Sequence, residues 1–100
     1  MLKITLILSF ALAFGLAGEP SQNERISRLT AELATLCPTL SKNIKNRTEN
    51  FIAFTKDDCA ISHAYLLGTS SLEREQKTCE SERLKTFGDK LEIEINNYKN

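Results

Sequence analysis

"CAISHAYLLGTSSLEREQKTC", residues 59–79, decides the reading of this chain, because it opens and closes on cysteine and is centred on Thr69. The centre is rich in helix-ending and helix-starting residues. Gly68 is a natural stop for a helix, and Ser70 with Glu73 makes a capping-box pattern that starts another. The stretch Gly68 to Ser71 therefore reads as a tight turn between two helices. At a rise of about 1.5 Å per residue, Cys59 and Cys79 each stand about 15 Å from that turn, level with one another on antiparallel neighbours. A disulfide needs α-carbons about 4.4–6.8 Å apart, which such a hairpin supplies when the two side chains face each other. The spacing predicts a Cys59–Cys79 bond.

The residues around Cys79 point the same way. In "EREQKTCESER", residues 73–83, only Cys79 is not polar, so the cysteine is the expected anchor of that stretch. Closing a loop of about 20 residues adds on the order of 3 kcal/mol in the chain-entropy view. The competing pair, Cys37 with Cys59, is centred on Thr48 and would leave the segment around Cys79 unanchored. Of the three cysteines, Cys37 beside Pro38 is then the leftover. In an exported chain a leftover cysteine bridges two molecules or stays a free thiol. A disulfide-linked homodimer through Cys37 is the corresponding candidate.

Export is expected from the first residues. Residues 1–17 have one positive side chain, Lys3, an apolar run from Ile4 to about Phe14, and small residues at Gly15 and Ala17. That is the layout of a secretory signal peptide. A bilayer core needs about 20 apolar residues, and this run stops before Glu19 and Pro20. Residues 18–100 are the expected mature part, a single small helical domain, secreted and extracellular. The whole sequence carries 13 basic and 13 acidic side chains; without Lys3 the balance is 12 to 13, a net charge of minus one. So even a balance offers no broad field for nucleic acid or for an anionic membrane surface, and neither is an expected partner. A domain of this size buries a modest core, and small exported domains commonly add disulfides.

The remaining segments read as helix. Ser21 and Glu24 form a capping box, and Ile26, Leu29, Leu33, Leu36 and Leu40 follow at alternating steps of three and four, one narrow apolar stripe. Pro38 ends that helix near Leu36 or kinks it. "SKNIKNRTEN", residues 41–50, has one large apolar residue and three asparagines and reads as the first connection. It carries the sequon Asn46-Arg47-Thr48, so Asn46 is the candidate N-glycosylation site. From Phe51 to Leu67 the apolar residues fall almost all round a helical wheel, which predicts an element enclosed by its neighbours at the centre of the core. Thr55 with Asp58 offers a second cap within it. Leu84, Phe87, Leu91, Ile95 and Tyr98 make a last amphipathic helix, with a bend expected near Gly88. Leu91 to Ile95 also alternates with the period of a strand, but no second strand exists for it to pair with. The expected architecture is all-α: a small three-helix bundle, an antiparallel hairpin plus an N-terminal helix, stapled by a disulfide.

Chemistry is sparse. Cys59 and His63 share a helical face, with Cys79 opposite, yet the set lacks a fourth ligand and exported cysteines are oxidised, so no metal site is expected. Ser62, His63 and Asp58 point in different directions on a helix and do not make a triad. No phosphate loop or other cofactor motif is present. No catalytic, cofactor-binding or metal-binding residue is assigned, and an enzyme is not expected. Two functions fit. One is a small secreted protein acting on an extracellular protein partner, a secreted factor or a glandular secretion component. The alternative is an extracellular carrier with Phe51, Phe54, Leu66, Phe87 and Leu91 lining a cavity for a small apolar ligand. In build, small, exported, helical and with an unpaired cysteine, the chain resembles the secretoglobins. The resemblance is of build only, however, since the cysteine spacing departs from theirs.

Overall fold

The computed structural model describes residues 21–99. The expected signal peptide, residues 1–17, lies outside the described residues. Three helices follow in order: α1 (Gln22–Leu36), α2 (Ser41–Ser62) and α3 (Leu72–Lys99). Short 3-10 turns at Pro38–Leu40 and Ala64–Leu66 lie in the two connections. The fold is the expected small all-α bundle, with α2 antiparallel to both α1 and α3.

α1 begins where its sequence says. Ser21 Oγ accepts from the Glu24 amide at 3.1 Å, and the Ser21 amide donates to Glu24 Oε1 at 3.0 Å, so two otherwise unpaired amides are satisfied reciprocally. It ends at Leu36, two residues before Pro38. Its buried stripe, Ile26, Leu29, Leu33 and Ala34, packs with Leu84, Phe87, Leu91 and Ile95 of α3 and Ile44 of α2 to form the core. Ile26 and Leu91 are fully enclosed. Arg25 ties the start of α1 to Asp89 at 2.8 Å and Glu92 at 2.9 Å, and Lys99 meets Glu32 at 3.0 Å, so α1 runs alongside the last half of α3.

Gly88 is the notch that lets Arg25 cross. A Cβ there would come within 2.6 Å of Arg25 Nη1. α3 is continuous through Gly88 and through Leu91–Ile95, which settles that segment as helix; its apolar residues at 91 and 95 are buried while Ile93 faces out.

Three sequence expectations are corrected. Residues 41–50 are not a connection but the first ten residues of α2, and the link from α1 is only Cys37 to Leu40. Ile44 and Thr48, four apart, face inward, and the Thr48 hydroxyl lies 2.8 Å from that of Thr30. A threonine buried by pairing with another threonine reads as surface in a hydropathy pattern, and tertiary packing overrides the weak helix preference of the asparagines. Second, the segment from Phe51 to Leu67 is not the enclosed centre of the core. α2 ends at Ser62, with no break at Thr55–Asp58, and only Thr55 and Cys59 in this segment are buried. Third, α3 starts at Leu72 with the Ser71 carbonyl accepting from the Glu75 amide at 3.0 Å, so the Ser70–Glu73 box is not used. Thr69 instead closes the turn by donating to the Leu66 carbonyl at 2.7 Å, and Gly68 adopts φ +87°, a left-handed conformation that glycine takes without strain.

Candidate interaction surface

The three helices differ in length: 15, 22 and 28 residues. Because α1 starts level with Leu84, among the described residues nothing from α1 covers the outer ends of α2 and α3. No residue from Ala60 to Arg83 is buried. The outer part of the α2–α3 hairpin is thus a two-helix arm projecting about 18 Å beyond the core.

The disulfide holds this arm together. Cys59 and Cys79 are bonded, with α-carbons 5.9 Å apart, inside the range that level positions on adjacent helices provide. The pair Arg83–Asp58, one turn from Cys79 on α3 and adjacent to Cys59 on α2, crosses the same seam. Both of its side chains are more than a third exposed, so its contribution is small beside that of the covalent bond. Phe51 stacks on Phe87, ring centres 4.4 Å apart, at the root of the arm. His63 ends α2: its Nδ1–H donates to the Cys59 carbonyl at 3.0 Å and its ring lies beside Tyr65. The two sulfurs are spent on each other and the imidazole on a helix end, so the Cys59, His63, Cys79 set is structural.

Among the described residues, four large apolar side chains on α2 and the turn that follows it are exposed. Phe54 is 60% exposed, Ile61 74%, Tyr65 78% and Leu67 72%. Phe54 and Ile61 are seven apart, hence on one face of α2, and Tyr65 and Leu67 continue past its end around the turn. Single exposed apolar side chains are ordinary, whereas here four large ones fall within fourteen consecutive residues. Between them, Asp58 is paired with Arg83, while the neighbouring Asp57 is exposed and has no ion-pair partner among the described residues. The helical wheel of Phe51 to Leu67 did contain this signal: apolar residues pointing in every direction fit either an enclosed helix or one with a working outer face.

The five residues of the carrier reading are not brought to one place. Phe87 and Leu91 are core, Phe51 is half-buried against Phe87, Leu66 is half-buried in the turn, and Phe54 faces out. A groove of about 410 Å³ lies at the other end of the bundle, lined by Leu33, Cys37, Leu40, Ile44, Arg47 and Tyr98. Cys37 is a half-buried free thiol at its edge. The Tyr98 hydroxyl stabilises the Cys37 thiolate and holds that thiol below its ordinary pKa, with smaller help from Thr39 and the Leu40 backbone. Tyr98 is correspondingly held above its own. Asn46 is exposed on α2, while Thr48 of the same sequon is buried.

No known protein family, curated protein or solved structure matches the chain.

Proposed function

We propose that this is a small exported protein that acts by binding another extracellular protein, and that the outer face of the arm, with Phe54, Ile61, Tyr65 and Leu67, is the surface it presents. The observation that carries the reading is the combination of those four exposed side chains with a support that does not need them for folding. A contact surface gains affinity when its apolar anchors are already held in place, because less conformational freedom is lost on binding. The disulfide supplies that constraint, and a disulfide in so small a domain also accords with an oxidising, extracellular setting. Cys37 lies at the opposite end of the bundle, so a bridge between two copies through Cys37 would leave both arms free, giving a two-headed molecule.

The test is site-specific photo-cross-linking. A photoreactive phenylalanine analogue replaces Ile61 in one sample and the exposed Arg28 on α1 in another, and each is incubated in extracellular fluid. A defined adduct from position 61 and none from position 28 is the expected result. Equal yields from the two positions would overturn the placement. Native mass spectra showing a small apolar molecule that is lost on denaturation would replace the reading with the carrier.

A further inference from the structure

The sequon lies in the second and third turns of α2, and its side chains have unequal fates. Asn46 is exposed. Arg47 reaches across to α3, where its guanidinium bonds both carboxylate oxygens of Glu94 at 2.7 and 3.1 Å and sits 5.5 Å over the Phe87 ring. Thr48 is 5% exposed and its hydroxyl is paired with Thr30. Residues two apart on a helix point to nearly opposite sides, about 200° round the axis, so the fold turns Asn46 outward and Thr48 into the α1 interface. A sequon is defined by the hydroxyl of its third residue as much as by its asparagine, and here the native fold withholds that hydroxyl.

We propose that Asn46 accepts a glycan only before α1 and α3 close on α2, so that occupancy is set by folding and frozen once the bundle forms. The step is ordinary transfer from a lipid-linked oligosaccharide diphosphate. A bond forms between Asn46 Nδ2 and the sugar C1, the C1–O bond to the diphosphate breaks, and the amide nitrogen loses a proton to the transferase. It requires a chain in the secretory pathway and does not depend on what the arm binds.

Order of synthesis sets the window. Thr30 precedes Thr48 by 18 residues, but Glu94 follows Arg47 by 47. At about 5–20 residues per second, the sequon waits about 2–10 s for the residues of α3 that complete its surroundings. Before then the first turns of α2 have Ile44 as their one large apolar contact, and an isolated helix of this kind is marginal. After closure, exposed Asn46 can carry its glycan without moving α1. It lies in an open groove with Asn43, Asn50 and Phe54.

The test uses purified oligosaccharyltransferase and its lipid-linked donor on two full-length, unglycosylated chains. One is the oxidised native chain. The other carries Cys59→Ser, Cys79→Ser and Leu91→Asp and is shown by circular dichroism to be unfolded. Accessibility through opening alone predicts about tenfold or more slower transfer to the native chain. Equal rates on the two chains, or no transfer to the unfolded one, would overturn the proposal. In secreting cells, Leu91→Asp, which delays closure of the core over Thr48, should raise occupancy at Asn46; occupancy that does not respond counts against it.

Discussion

Thr30 and Thr48 meet hydroxyl to hydroxyl at 2.8 Å in the α1–α2 interface, both nearly sealed from solvent. Each satisfies the other, so two polar groups are buried in a small core at little cost. Removing one leaves its partner without a bond in a dry site. Thr48→Val should therefore destabilise by about 1–2 kcal/mol, while Thr30→Val with Thr48→Val should recover most of that loss. Thr55 is the contrast: its Oγ1 is buried without a partner, and Thr55→Val should be neutral or stabilising. Urea unfolding of the variants checks all three, and a double variant no better than Thr48→Val contradicts the pairing.

The disulfide should act locally. Replacing Cys59 and Cys79 by serine should lower global stability by about 3 kcal/mol. Hydrogen exchange should show the larger effect in residues 72–83, whose protection depends on the arm staying closed, with residues 84–99 kept by the core. Uniform loss of protection along α3 would mean that the arm is not a separate unit.

Gly88 and Arg25 should be coupled. In a helix interior, alanine is favoured over glycine by about 0.5–1 kcal/mol, yet a Cβ at 88 would displace the Arg25 guanidinium from Asp89 and Glu92. Gly88→Ala should thus stabilise an Arg25→Ala background by about that amount and the wild type by clearly less. Equal effects in the two backgrounds would show that Arg25 moves aside freely.

Cys37 should be reactive at lower pH than an ordinary thiol. Tyr98 holds the Cys37 thiol below its ordinary range, so the alkylation rate with iodoacetamide should rise at a pH below that of a free cysteine. Tyr98→Phe should move the profile back toward higher pH. An unchanged profile would remove Tyr98 from the account.

Acid should weaken the bundle through two carboxylates. Arg47 holds Glu94, and Arg25 holds Asp89, below their ordinary range. A carboxylate with a depressed folded-state pKa contributes stability that is present above its unfolded value, about 4 for these groups, and lost as pH falls through the lower folded value. Denaturation midpoints followed from pH 6 downward should fall through that window, with a shallower fall in Glu94→Gln. All four side chains retain solvent contact, so the effect should be modest and reduced by salt.

Much of this fold can be read in the residues. The Ser21–Glu24 box, the three-and-four stripe from Ile26 to Leu33 and the Pro38 stop are local, although Leu36 and Leu40, expected in the same stripe, are exposed; the Cys59–Cys79 bond forms even though α2 ends at Ser62, so the two cysteines do not stand equally far from their helix ends. Residues 41–50 escaped because the contact that makes them helical is a threonine pair with α1, and hydropathy cannot recognise a polar group that is buried with its partner. Phe54, Ile61, Tyr65 and Leu67 could be counted but not placed, because their exposure follows from where α1 stops against α3. That register is set by Arg25 passing over Gly88, a contact between residues 63 apart in the chain.

The unequal lengths of the three helices divide labour along the long axis. Residues that make the chain fold are gathered where all three rods overlap, and residues free to meet something else lie where only two remain. Substitutions on the outer face of the arm should therefore be silent in thermal melts, so a lineage could retune what the tip recognises again and again without ever renegotiating how the rest of the molecule stands up.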